Sequence, residues 1–212
     1  MLDKQLIFIR NTYLSSSRMG TFLLRGLRFL RGRVFGKGSP QHWAEVEHFD
    51  QAWRARISEI ATLIPPGASV LDLGCGKMWL KDYFSGEQYY PVDYTQRSTD
   101  TIVCDFNKRE FPSIRADVAV VSGCLEYLKE YEWFISEIAT HVERCVISYN
   151  SVEQYPDRTK RRAMAWVNDL THAELIRLFR MRGMVLVEQK VAADLHHIFV
   201  FDRTAVRNTS RT

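Results

Sequence analysis

The chain has 212 residues, 46% hydrophobic and 25% charged, with a net charge of +4. That length and composition suit one ordinary globular domain and exclude a fibrous or low-complexity chain. The charge is uneven: residues 1–40 hold eight Lys or Arg against Asp3 alone, a net +7, and the remainder carries −3. The basic character therefore belongs to an N-terminal arm and not to the domain that follows.

Within the arm, Met19, Phe22, Leu23, Leu27, Leu30 and Val34 fall near one face of a helix, with Arg18, Arg25, Arg28 and Arg31 on the other. Three settings suit such a helix over residues 18–35: packing on the domain or a second subunit, resting peripherally on an anionic membrane, or binding nucleic acid. Packing is the leading reading, and nucleic acid ranks last. Gly20, Gly26 and Gly32 weaken the helix unless it has a partner. Gly36 to Pro40 marks a boundary. The expected organisation is an arm over 1–40, a domain over 41–203 and a polar tail over 204–212.

A second helix is expected from Gln41 to about Ile64. Trp43, Val46, Phe49, Trp53, Ile57 and Ile60 form its apolar face, and Pro65-Pro66-Gly67 stops it. Then comes Val70-Leu71-Asp72-Leu73-Gly74-Cys75-Gly76-Lys77-Met78, a short apolar strand ending in an acid and opening into a glycine turn. In a doubly wound sheet a nucleotide-like ligand binds at such a strand end. A second strand, Gln88 to Tyr94, ends in Asp93 beside Tyr94; a carboxylate there accepts from ribose hydroxyls. A third, Thr101 to Cys104, ends in Asp105-Phe106, an acid and ring suited to adenine. The turn lacks G-x-G-x-x-G and no P-loop follows, so a ligand with adenosine and no pyrophosphate fits better.

Ala116 to Val121 reads as a strand buried on both faces, exiting into Ser122-Gly123-Cys124-Leu125-Glu126-Tyr127. Ser122 and Gly123 face the ligand edge, and Glu126 reads equally as a ligand contact or an exposed helix-start residue. A helix over Glu130–Thr140 and a strand over Arg144–Ser148 follow, with Tyr149 and Asn150 at the strand's end. Tyr155 to Arg162 reads as an irregular basic segment, suited to an anionic acceptor or merely solvated. Thr171-His172-Ala173-Glu174 is a capping box for a helix ended by Gly183. Strands Val185–Lys190 and His197–Phe201 close the domain as a hairpin. Cys75, Cys104, Cys124 and Cys145 lie in or beside strands without a C-x-x-C pair, which points to core packing in a reducing compartment. Residues 1–10 show no secretory pattern and no run has bilayer length, so the expected location is cytoplasmic, extended to the inner membrane face if the arm binds lipid.

The segments Val70–Gly76, Val92-Asp93, Cys104-Asp105-Phe106 and Ser122–Leu128 together resemble the class I S-adenosylmethionine-dependent methyltransferases, over roughly residues 45–202. The resemblance implies an α/β fold: a doubly wound, mostly parallel seven-stranded sheet, Rossmann-like, with an antiparallel last strand, here carrying a basic helical extension. It implies S-adenosyl-L-methionine as cofactor, held by Asp72, Gly74, Gly76, Met78, Asp93, Tyr94, Asp105, Phe106, Ser122 and Gly123. The family's first motif reads D-x-G-x-G-x-G, and Met78 stands where the third glycine does.

The cofactor is a strong electrophile, so the protein must chiefly align the acceptor. A hydroxyl acceptor must also lose a proton, and histidine is the usual agent. His196 and His197 are the candidates, with His172 a weaker one and Tyr149 an acceptor contact. The absence of [N/D]-P-P-[Y/F] disfavours a nucleobase amine. The expected acceptor is a small molecule or glycan, the latter by likeness to polysaccharide-pathway methyltransferases. A non-catalytic cofactor-binding module and a nucleic-acid methyltransferase using the arm are the alternatives. No cluster has metal-ligand spacing, so no metal is expected.

Overall fold

Short β-branched runs alternating with amphipathic segments build a sheet with helices on both faces. A computed structural model describes residues 50–84 and 88–204. The arm, residues 41–49 and the tail beyond Thr204 lie outside the described residues, with the readings made on them.

Helix α1 spans Ala52–Ala61. The strands are β1 Val70–Leu73, β2 Tyr89–Asp93, β3 Ile102–Val103, β4 Ala116–Ser122, β5 Val142–Tyr149, β6 Met184–Val191 and β7 His197–Arg203. Between them lie α2 Tyr131–His141, α3 Arg158–Ala163 and α4 His172–Arg180. The sheet order is β3-β2-β1-β4-β5-β7-β6. β7 enters between β5 and β6 and runs antiparallel to both, while the other described pairings are parallel. The seven-stranded, doubly wound plan is as expected.

Side chains alternate across the strands and divide the core in two. Leu71, Leu73, Ala119, Val121, Cys145, Ile147, Phe199 and Phe201 meet Phe134, Ile135 and Ile138 of α2 and Leu175, Leu178 and Phe179 of α4. Phe179 and Phe201 stack with centroids 4.0 Å apart. On the other face Val70, Val118, Val120, Val146, Ile198 and Val200 meet Ile60, Ile64 and Leu80. Thr171 and Glu174 form the expected capping box.

Two readings change. The third strand shrinks to Ile102–Val103, because β3 is an edge pairing only with β2. The basic segment contains helix α3, opened by the Asp157 side chain accepting from the Lys160 N–H. Arg161, within it, is fully buried. Among the described residues no helix is long and apolar enough to cross a membrane.

Candidate functional site

The order of the sheet reverses between β1 and β4, so their crossovers leave in opposite directions and open a crevice at the carboxyl ends. The chain turns immediately after β1, and Gly74 N–H and Cys75 N–H both donate to Val92 O, at 2.8 and 3.0 Å. Gly74 has φ +83°, and a Cβ there would lie 2.8 Å from Cys124 Cβ and Sγ. The β1 turn and the β4 exit therefore touch. Met78 has φ +56°. It keeps a glycine-like backbone at the position of the family's third glycine, which costs about 1–2 kcal/mol in a residue with a Cβ.

Asp93, at the end of β2, is buried beside this turn. Its Oδ2 accepts the Gly76 N–H at 3.0 Å, and its Oδ1 accepts the Thr95 N–H at 3.2 Å and faces Arg97 Nε at 3.5 Å. A carboxylate offers about four lone-pair sites, so acceptor capacity remains for ribose hydroxyls. Asp72 is buried and accepts from the Tyr89 O–H. Burial pushes its carboxyl up to about 7; the Tyr89 bond opposes this and neighbouring Asp93 adds to it. Tyr94 is half-buried, with the Arg97 guanidinium 5.9 Å from its ring centre.

The third strand end departs from expectation. Phe106 is buried, 4.6 Å from Phe134 and 6.1 Å from Phe111 between centroids. Its ring belongs to the core and not to an adenine face, because aromatic packing with α2 removes more apolar surface from water. Asp105 stays half-buried at the rim and accepts the Asn107 N–H at 3.0 Å.

On the β4 side, Ser122 Oγ accepts Arg56 Nε at 3.1 Å, and Gly123 N–H donates to Ser148 Oγ at 3.0 Å. Arg56 and Asp194 form a pair at 2.6 Å with side chains 4% and 9% exposed. His196 Nδ1 lies 3.1 Å from Asp194 Oδ2. Burial alone would raise the Asp194 carboxyl, but His196 and Arg56 outweigh it and hold the group below the usual carboxylate range. Burial likewise lowers Arg56, against Asp194 and Glu126. Glu126 is 1% exposed, so the surface alternative for it fails.

The proposed catalytic residues separate. His196 joins the Arg56–Asp194 cluster at the β6–β7 turn. His197 faces the other side of the sheet, 4.4 Å from the His172 ring and in line with Phe199. Burial, then His172, lowers its imidazole. Tyr149 is fully buried; its O–H donates to Asn168 Oδ1 at 2.7 Å, and its oxygen accepts Leu170 N–H and an Arg161 N–H. His197 and Tyr149 therefore pack and brace, and neither is brought to the crevice. Arg161 also donates to Asn150 O, Ser151 O, Asn168 O and Asp169, and Arg158 and Arg162 pair with Asp169. Of the two readings of this segment, an anion site and a solvated run, neither describes Arg161 and Arg162, which hold protein groups.

Sequence reading missed Arg56 and Asp194. Arg56 had a usable signal: it stands three residues after Trp53 and four before Ile60, on the apolar stripe of α1. Asp194, in the short turn between β6 and β7, had none. A separate hollow of about 600 Å³ lies at the opposite ends of β4 and β5 and is lined by Arg115, Arg182, Arg203 and Glu143. Its arginines bond carbonyls of the surrounding elements, including Thr140 O, Leu178 O and Val142 O.

Asp72 and Asp93 line the crevice with acid beside bare backbone, which suits a ligand bearing ribose hydroxyls and positive charge and repels a pyrophosphate. S-adenosyl-L-methionine fits that set, and when bound it supplies a methyl group on a sulfonium. Among the described residues no group of His, Cys, Asp and Glu is arranged to hold a metal.

A family model described as a methyltransferase domain matches residues 43–189. No protein of curated function matches by sequence. Among solved structures, the methyltransferase fold recurs in a Haloferax volcanii complex between the Trm112 methyltransferase activator and a putative methyltransferase. That match has 18% identity and a TM-score of 0.61, over 72% of this chain and 90% of the other. Magnesium protoporphyrin IX methyltransferase from Synechocystis PCC 6803, with bound cofactor, aligns at 13% identity and TM-score 0.59, over 84% and 97%. Burkholderia thailandensis 1,6-didemethyltoxoflavin-N1-methyltransferase, with S-adenosylhomocysteine, aligns at 17% and 0.58, over 96% and 90%. With its family motif, sheet order and acidic strand ends in agreement, the chain belongs to the class I S-adenosylmethionine-dependent methyltransferases.

Proposed function

We propose that the protein moves a methyl group from S-adenosyl-L-methionine to a hydroxyl of a small-molecule or glycan-type acceptor. The observation that carries this reading is the junction of Asp93 with the glycine turn: a buried carboxylate bonded to Gly76 N–H, one strand from the switch point. Two of the structural neighbours are named for small acceptors, a toxoflavin precursor and a magnesium porphyrin, and that class is carried over here as part of the proposal. In this reading Asp93 holds the ribose, and the glycine turn lets the cofactor lie on backbone. The exits of β4 and β5 orient the acceptor and exclude water. Residues 18–35 supply a contact with a second subunit or a membrane surface.

Titration calorimetry with S-adenosylhomocysteine tests the reading. The wild type should bind, and Asp93→Ala should bind about ten- to a hundredfold more weakly, from the loss of hydrogen bonds to a charged acceptor. Absence of binding by the wild type at high micromolar ligand would reject the function.

A further inference from the structure

Two buried polar side chains at the exits of β4 and β5 each keep one hydrogen-bonding atom without a protein partner. Glu126 and Asn150 are each 1% exposed. Glu126 Oε1 accepts the Asn150 N–H at 3.0 Å and lies 3.4 Å from Asn150 Nδ2. Glu126 Oε2 and Asn150 Oδ1 have no hydrogen-bond partner. An unsatisfied buried acceptor costs about 1–3 kcal/mol, so both atoms mark a place for a donor. The surrounding structure fixes them there. Fully buried Arg161 grips the carbonyls of Asn150 and Ser151 at 2.9 and 3.1 Å. Cys124, two residues before Glu126, lies against Gly74 of the glycine turn, where a Cβ would meet its Cβ and Sγ at 2.8 Å, which places the pair beside the cofactor crevice.

We infer that Glu126 Oε2 and Asn150 Oδ1 form the acceptor subsite, that it takes a neutral hydroxyl, and that Glu126 is the catalytic base. The inference deepens the methyltransferase reading and rests on it. Both open atoms accept hydrogen bonds, so the reacting hydroxyl donates to Glu126 Oε2 and a second donor, an adjacent hydroxyl of the acceptor or a water, satisfies Asn150 Oδ1, whereas a carboxylate or phosphate is repelled by Glu126. In the step, the acceptor O–H proton passes to Glu126 Oε2 as the new O–CH₃ bond forms. The S–CH₃ bond breaks and its electron pair stays on sulfur, leaving a neutral thioether, a methyl ether and a protonated Glu126. Burial raises the Glu126 carboxyl, while Asn150, His196 and Arg56 oppose that rise. A carboxylate whose affinity for a proton is raised in this way is a stronger base than an ordinary one. The charged and titratable groups that act on it are Arg56 from α1, His196 from the β6–β7 turn, Tyr149 from β5, and Tyr127 and Cys124 from its own loop; Asp194 lies behind Arg56 and His196, paired with both.

The test uses the full chain saturated with S-adenosylhomocysteine, with catechol and methyl α-glucoside as hydroxyl probes and benzoate as the anionic control, followed by saturation-transfer NMR and calorimetry. At pH 8.5 the wild type should bind at least one hydroxyl probe and not benzoate. Glu126→Gln should bind that probe at least tenfold more weakly, with unchanged affinity for S-adenosylhomocysteine. Wild-type affinity for the probe should fall as acid protonates Glu126, and the variant should be flat. If Glu126→Gln does not fold, Asn150→Ala removes one open acceptor and should weaken the probe three- to tenfold. Binding of neither hydroxyl probe, equal binding by wild type and the folded variant, or preference for benzoate would each overturn the inference. Loss of S-adenosylhomocysteine binding by the wild type instead removes the methyltransferase reading beneath it.

Discussion

Gly74 shows how one absent side chain holds two loops together. Its φ of +83° disfavours any L side chain, and the space a Cβ needs is occupied by Cys124. Gly74→Ala should therefore strain the backbone and push the β4 exit away from the β1 turn, at a cost of about 1–3 kcal/mol. Thermal melting should register that loss, and S-adenosylhomocysteine affinity should drop with it. Cys124→Ala should not rescue the variant, because the Cys124 Cβ is itself one of the clashing atoms; Cys124→Gly should recover part of the loss. The motif was legible in the sequence because a glycine turn after an apolar strand is a local pattern. The identity of the atom pressing on Gly74 was not, because Cys124 lies fifty residues away on another strand exit.

At the scale of elements, α1 and the β6–β7 turn are fastened together. Arg56 bonds Asp194 at 2.6 Å, and Ala193 N–H donates to Glu59 Oε1 at 2.9 Å. Gln154, beyond β5, donates to Leu195 O from the other side. The Arg56–Asp194 pair is largely shielded from water, so removing one member leaves a buried charge without its partner. Asp194→Ala should destabilise by about 3–5 kcal/mol. The double variant Arg56→Met with Asp194→Leu should recover much of it, since an apolar pair replaces both charges. Urea unfolding of the wild type and the two variants checks this, and amide exchange at residues 192–196 should quicken in the single variant alone. The helix and the hairpin were both read from periodicity. Their fastening was not, since a helical arginine and a turn aspartate give no sign of facing each other across 138 residues.

The whole molecule should show a pH dependence that traces to the crevice. The Asp72 carboxyl rises from 3.8 to about 7 in the folded protein, chiefly by burial. The native state thus holds a proton that the unfolded chain releases at lower pH. Stability linked to this group is full below pH 4 and declines as pH rises toward 7, because the unfolded state then binds fewer protons. Asp72→Asn should flatten that decline, so that the variant gains on the wild type between pH 4 and 8. Melting temperatures across that range test it, and parallel curves for the two proteins would refute it.

The sequence by itself determined the order of elements, the strand ends carrying Gly74, Gly76, Asp72 and Asp93, and the family. Hydrophobic periodicity and turn chemistry act over a few residues, and the doubly wound plan follows from their order. Only the tertiary structure decided which polar groups are buried and whom they meet. Glu126 reads equally as a ligand contact or a surface residue until Asn150, Arg56 and His196 close around it. Phe106 reads as a ligand face until α2 packs on it, and Tyr149 reads as an acceptor contact until Arg161 and Asn168 consume its hydroxyl. Burial and charge pairing join segments far apart in the chain, and no local pattern of residues records them.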